Sequence, residues 1–317
     1  MIMEEHVFAV PLRTRFRGIV VREGMLLRGP AGWGEFSPFW DYDDATSLPW
    51  LWAAHEAAYE GWPAPVRDRV PVNVTVPAVG PDRAAEMVRA SAGCRTAKVK
   101  VAEPGQTLRD DVARVEAVRD AIGPGGRVRI DANGAWDLDA AVRATRELDR
   151  FDLEYVEQPC ASIEELAEFR RRVDVPVAAD ESIRRAEDPL RVAQAQAADI
   201  AVLKVQPLGG VRRCLRIVEQ IGLPAVVSSA LETSVGIAAG VALAAALPDL
   251  PYACGLATVQ LLERDVVREP LLPVGGALAV RRPEPDPQLL ASAEPDAITA
   301  FRWRSRAERC ERLRSRN

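Results

Sequence analysis

The stretch RVRIDANGAWD, Arg127–Asp137, decides the fold of the chain. A short run with Val128 and Ile130 as its apolar members ends on Asp131 and breaks at Asn133-Gly134, so it reads as a strand followed by a turn. The same form recurs on both sides. LEYVE ends on Glu157, and the run Val175–Ala179 is followed at once by Asp180. Upstream lies Ala97–Val101 in TAKVKVA, and downstream Ile200–Val205 in DIAVLKV. Amphipathic stretches separate these runs: Leu108–Ile122, Asp139–Leu148 and Ile163–Arg172. Their ends carry helix punctuation, with Ser162 before an acidic first turn and Gly123-Pro124-Gly125-Gly126 as a stop.

Val70–Val76, Pro224–Ser228 and Tyr252–Gly255 complete a set of eight β-like runs. Alternation with helices predicts a parallel sheet built from βαβ crossovers. Continuously apolar words such as IAVL and PAVV fit strands buried on both faces. Eight units over residues 67–270 predict an α/β fold of the (β/α)8-barrel type. An open doubly wound sheet would offer a glycine-rich dinucleotide loop after its first strand, and there is no G-x-G-x-x-G there. Residues 1–66 differ. Phe8–Val10, Gly18–Val21, Met25–Arg28 and Gly32–Phe36 read as an antiparallel sheet, followed by a helix, Leu48–Glu60. This predicts an N-terminal α+β capping domain, completed by a C-terminal segment, residues 271–317, that packs back on it.

Asp131, Glu157 and Asp180 stand about 25 residues apart, one βα unit each. Carboxylates ending successive strands all point to the C-terminal mouth of a barrel, where active sites form. Converging acidic oxygens repel one another unless a cation holds them, and an all-oxygen donor set suits Mg²⁺, with Mn²⁺ as a substitute. One strand earlier, Lys98 and Lys100 share a face by strand alternation. One strand later comes Lys204. A lysine in a metal-charged, partly desolvated site has its pKa lowered and can act as a base near neutral pH. The series K-x-K, D, E, D, K therefore predicts metal-assisted removal of a proton next to a carboxylate.

At these residues the sequence resembles the enolase superfamily, in its muconate lactonizing enzyme subgroup. The flanking words DANGAWD, EQP and DES are similar too, and the likeness spans essentially the whole chain. The resemblance implies Mg²⁺ on Asp131, Glu157 and Asp180. It implies Lys100 as the acid/base group assisted by Lys98, and Lys204 on the opposite face of the substrate. GWGEFSPF (Gly32–Phe39) and SSALETSVG (Ser228–Gly236) resemble segments of the o-succinylbenzoate synthase family. GLAT (Gly255–Thr258) sits where that family shapes its pocket. This likeness implies a cytoplasmic dehydratase of menaquinone biosynthesis acting on a small-molecule carboxylate. Ser228, Ser229 and Gly255 are then candidate substrate contacts, with Asn133 and Glu181 as outer partners of the metal ligands. N-acylamino acid racemases share the same constellation and are the alternative. A barrel that only binds a ligand would be expected to lack one of the ligands or lysines, and all six are present.

What is missing narrows the choice. The only histidines, His6 and His55, lie outside the barrel, so no histidine base ends a late strand. CGLAT replaces the acidic D-x-D expected of dipeptide epimerases. A net charge of -5 gives no pull toward nucleic acid. Five cysteines, Cys94, Cys160, Cys214, Cys254 and Cys310, form no C-x-x-C and suit a reducing compartment. The segment Met1–Leu12 does not read as a signal peptide, and Val235–Leu247 is too short for a membrane span.

Three smaller expectations remain. RTRFRGIVVREG (Arg13–Gly24) is either a lid over the barrel mouth or a cap hairpin with solvated arginines. Trp33 and Phe36 are expected in the core of the cap. Seven arginines between Arg302 and Arg316 are expected on a solvated helix or frayed terminus that packs through Phe301, Trp303 and Leu313.

Overall fold

The computed structural model describes residues 4–183 and 188–315. The chain opens with three antiparallel strands in the order β1-β2-β3: β1 Glu4–Phe16, β2 Ile19–Gly29 and β3 Gly32–Phe36. Arg17 and Gly18 form the β1–β2 turn, both at positive φ (48° and 78°). The two runs expected at Gly18–Val21 and Met25–Arg28 are one strand, because Glu5 to Pro11 of β1 pair continuously with Leu27 to Val21. Helix α1 (Asp44–His55) starts earlier than its apolar run suggests. The Asp43 carboxylate caps it by accepting from Thr46 N at 2.7 Å. A π-helical turn, Glu56–Glu60, continues it. At Gly34 a Cβ would lie 2.0 Å from the carbonyl oxygen of Ala54, so only glycine lets β3 approach α1 this closely.

The barrel follows as β4 Arg69–Pro71, β5 Val74–Val76, α2 Pro81–Arg89, β6 Thr96–Lys100, α3 Leu108–Ile122, β7 Arg127–Asp131, α4 Leu138–Leu148, β8 Leu153–Glu157, α5 Ile163–Arg170, β9 Val177–Ala179, α6 Asp188–Gln194, β10 Ile200–Leu203, α7 Val205–Leu208, α8 Val211–Ile221, β11 Ala225–Val227 and α9 Ser234–Ala246. Strands β5 to β11 form one parallel sheet in chain order. The eighth expected strand, Tyr252–Gly255, is reduced to two parallel bridges, Ser228↔Gly255 and Val72↔Cys254, which close the ring. The first, Val70–Val76, is divided. Pro71 has no N–H for a continuing ladder. Arg69–Pro71 instead pair antiparallel with β12 (Ala277–Ala279), and β5 joins the barrel sheet.

The C-terminal segment returns to the cap through α10 (Pro287–Ala293) and α11 (Ala297–Arg314). Leu290, Ala293, Trp303 and Cys310 share one core with Phe8, Met25, Phe36 and Trp50. The solvated-helix expectation fails at two residues. Phe301 is 69% exposed, whereas Arg306 is buried and donates to the carbonyls of Pro38, Phe39 and Tyr42 and to Ser47 Oγ. Those groups lie in the turn before α1 and in its first turn, which the guanidinium fills. Arg316 lies outside the described residues. Among the described residues no helix is long and apolar enough to cross a membrane.

Candidate active site at the barrel mouth

Side-chain parity brings the chemistry to one place. Tyr155, Ala178, Val202 and Val226 cluster together inside the ring. Two residues further along each chain stand Glu157, Asp180, Lys204 and Ser228, which alternation turns to the same interior at the C-terminal end. In neighbouring strands Lys100 pairs in register with Asp131, and Asp131 with Glu157. Beneath them the buried Arg129 is ion-paired to Glu154 and lies 4.6 Å from the Tyr155 ring, closing the floor.

The predicted ligands and lysines do converge. Lys98 Nζ donates to Asp131 Oδ2 at 3.0 Å and to Glu157 Oε1 at 2.5 Å. Lys100 Nζ donates to the same Asp131 oxygen and, at 2.7 Å, to Asn133 Oδ1. Lys204 Nζ donates to Asp180 Oδ2. Asn133, at φ 48°, donates its backbone N–H to Asp131 Oδ1 at 3.0 Å and its amide to Glu181 Oε1 at 3.1 Å. Among the described residues, no three histidine, cysteine or acidic side chains are already gathered round one point, and each of these carboxylates is turned to a lysine.

Charge is strained here. Burial, and then the charge of Asp131, push the Glu157 carboxyl up to about 8. Burial also opposes ionisation of Asp131, but Lys100 and Lys98 overcome it and hold that carboxyl far below its usual range. At Lys98, burial is outweighed by Asp131 and Glu157, so its ammonium is held well above the usual range. The lowering expected for a lysine here is therefore not what the carboxylates alone produce at Lys98. The donor set itself fits a hard cation: three buried carboxylates and no nitrogen or sulfur ligand, with one carboxyl unable to ionise readily beside its neighbours.

A cavity of about 910 Å³ opens over this cluster. Lys98, Lys100, Lys204, Asn133 and Glu181 line it, as do Ser228, Ser229 and Gly255. Ser229 Oγ is 2.6 Å from Thr258 Oγ1. Gly255 leaves room for its neighbour, since a Cβ there would lie 2.7 Å from Ser228 Oγ. Cap residues form the other wall. Thr14 to Gly18, at the tip of the β1–β2 hairpin, line it with Phe39, Tyr42 and Trp50. Arg13–Gly24 is thus a hairpin whose tip covers the mouth, and its Arg22 is buried rather than solvated. Trp33 and Phe36 belong to the cap core as expected.

Sequence reasoning missed the groups that join the cap to the barrel. Glu35, inside the quoted GWGEFSPF, accepts from Thr233 N and Gly236 N, both at 3.1 Å, at the start of α9. Arg22 Nε donates to the carbonyl of Leu231 at 2.7 Å. GWGEFSPF and SSALETSVG each resemble segments of one family, and nothing in their spacing says that they meet.

Comparison with known proteins agrees with this architecture. Residues 82–286 match the enolase C-terminal domain-like family, and residues 7–58 match the enolase N-terminal domain-like family. The fold matches a muconate lactonizing enzyme from Pseudomonas fluorescens (TM-score 0.81, 21% identity, 92% of this chain and 98% of that one). It also matches the L-Ala-D/L-Glu epimerase from Bacillus subtilis (TM-score 0.77, 24% identity, 89% and 96%). A protein of Thermobifida fusca named o-succinylbenzoate synthase is 69% identical over 96% of this chain and 95% of its own. One of the same name from Mycolicibacterium smegmatis is 57% identical over 97% and 95%. The chain belongs to the enolase superfamily, whose enzymes use divalent metal ions, and within it to the o-succinylbenzoate synthase family.

Proposed function

We infer that the chain is a lyase that removes water from 2-succinyl-6-hydroxy-2,4-cyclohexadiene-1-carboxylate to give o-succinylbenzoate, in menaquinone biosynthesis and in the cytoplasm. The observation that carries this is the near-full-length identity to relatives of that name, joined to a mouth where lysines flank three carboxylates. Asp131, Glu157 and Asp180 would hold Mg²⁺, with Mn²⁺ as a substitute, and the bound cation would stabilise the negative charge that builds on the substrate carboxylate. Residues 1–66 with 271–317 serve as the cap, and residues 67–270 carry the chemistry.

In this reading Lys100, as the free amine, takes the proton next to the ring carboxylate. The resulting ammonium returns that proton to the departing hydroxide, so one group serves a syn elimination and ends as it began. β6 and β10 are four steps apart in a ring of eight, so Lys204 faces Lys100 across the mouth. Its ammonium stabilises the dienolate from the far side. Lys98 orients Asp131 and Glu157, while Asn133 and Glu181 brace Lys100 and Asp131. Ser228, Ser229 and Gly255 shape the wall against the substrate.

The opposed lysines also favour a second activity, racemisation of N-succinylamino acids, which needs an acid and a base on opposite faces. Turnover of the cyclohexadiene carboxylate with and without Mg²⁺, followed by absorbance beside racemisation, tests both. Fast metal-dependent dehydration is expected. Fast racemisation with little dehydration would hand the main role to the second activity.

A further inference from the structure

One buried side chain outside the reaction grips the cavity wall that carries Lys100. Arg114 stands on α3 and is 1% exposed. Its Nη1 donates to the main-chain carbonyl of Lys100 at 2.9 Å and to Asp111 Oδ1 at 2.8 Å. Nε donates to the carbonyl of Val79 at 2.6 Å, and Nη2 donates to Gln106 Oε1. Gln106 donates onward to the carbonyl of Ala78 at 2.9 Å. Asp111 Oδ2 accepts from the N–H of Ala102 at 3.0 Å, two residues past Lys100. Ala102 sits at φ 60°, where an alanine stays only if its surroundings hold it.

One guanidinium fork therefore joins the end of β6, the bend after it and the loop after β5. Val79 and Gln106 line the same cavity as Lys100. A lysine side chain is long, so the direction of its reach depends on where its backbone is anchored. Besides this clamp, the strand end is held by its pairing with β7, through Val101 N to the carbonyl of Asp131 at 3.0 Å. Resting on the reading of Lys100 as the acid/base group, we propose that Arg114 and Asp111 are a positioning pair that fixes the angle at which Lys100 meets the substrate. Lysine at 114 could not replace the planar fork.

The test compares Arg114→Lys, Arg114→Ala and Asp111→Asn with the wild type, at saturating Mg²⁺, by kcat and KM for dehydration, far-UV circular dichroism and Tm. In folded variants kcat should fall by about 10- to 100-fold while KM stays within about three-fold, the mark of a displaced reacting group. Added guanidinium should restore part of kcat to Arg114→Ala and nothing to Arg114→Lys. A folded Arg114→Ala with kcat within about two-fold of the wild type overturns the proposal, as does a loss confined to KM and Tm. If Arg114→Ala does not fold, Asp111→Asn, which keeps the side-chain shape, decides by the same criteria. Lys100→Ala, run alongside, separates the two readings. Should it retain turnover, the role of Lys100 fails. Should it be inactive while the pair variants are normal, only the positioning pair fails.

Discussion

The barrel mouth and the seam between cap and barrel both bury charge, and they bury it in opposite ways. At the mouth, Asp131, Glu157 and Asp180 are held by Lys98, Lys100 and Lys204, and Glu157 is pushed up to about 8 by burial and its acidic neighbour. The lysines line the open cavity, and in the proposed reaction this charge is set for exchange. At the seam every bond runs inward. Ser37 Oγ joins Arg22 Nη2 (2.9 Å) to Glu35 Oε1 (2.6 Å), and Glu35 spends its other oxygen on the start of α9. Glu232 accepts from Ala230 N at 2.7 Å, and Leu231 is held at φ 65°. The seam thereby sets the loop Ser228–Leu231, one wall of the cavity. In the proposed reading one cluster reacts and the other keeps a shape. Substitutions should divide accordingly between activity and stability.

The largest effect is expected at the mouth. Lys100→Ala should lower kcat for dehydration by about 10²- to 10⁴-fold while leaving Tm near the wild-type value. Near-normal turnover would remove Lys100 from the reaction and dissolve the contrast. Chelation of divalent metal should likewise abolish turnover, and Mg²⁺ should restore it.

The mouth was legible in the sequence and the seam was not, for a physical reason. Mouth residues belong to consecutive strands, so one strand parity and one unit length place Lys98, Lys100, Asp131, Glu157, Asp180 and Lys204 together. Seam residues come from β2, β3, the turn after β3 and the β11–α9 loop, and only the finished packing of cap on barrel unites them. Arg306 was hidden differently. It lies in a run of arginines, and its burial depends on the carbonyls of a turn some 260 residues earlier. The reduction of the eighth strand was not legible either, because Tyr252–Gly255 is apolar enough for a strand although only Cys254 and Gly255 reach bridging partners.

The next largest effect falls on the seam. Arg22→Met leaves the carbonyls of Leu231 and Ser37 without their buried donor and Glu35 and Glu232 without the cation near them, and an unsatisfied buried polar group costs about 1–3 kcal/mol. Urea denaturation should report that loss, with kcat of the surviving folded protein far closer to wild type than in Lys100→Ala. A stable Arg22→Met with lost turnover would reverse the comparison.

A pH series sharpens it further. Burial, opposed by Arg22 and reinforced by Glu232, pushes the Glu35 carboxyl up to about 7. The folded state then binds more protons than the unfolded state between the ordinary glutamate range and about 7. The contribution of Glu35 to stability is therefore fully present below the unfolded value and is lost as pH rises through about 7. Its size is on the order of 3 kcal/mol. Glu35→Gln removes this titration. The stability of the wild type minus that of Glu35→Gln should fall between about pH 5 and 7 and be flat above. A flat difference throughout would mean that Glu35 stays ionised at the seam.

The smallest effect belongs to charge that is neither buried nor reactive. Arg309, three residues past Arg306 on α11, pairs with Asp44 at 2.7 Å, and both side chains are partly in water. Such a pair gains little, because water already solvates each partner and two side chains must be held in one geometry. Arg309→Ala should cost about 0.5 kcal/mol, and less in high salt. Arg306 has the opposite setting on the same helix: its buried guanidinium satisfies three carbonyls of one turn, those of Pro38 and Phe39 buried and that of Tyr42 half-buried, so Arg306→Ala should cost several times more. Equal losses at the two positions would mean that burial does not divide this run of arginines, and that the tail acts on the cap through its net charge.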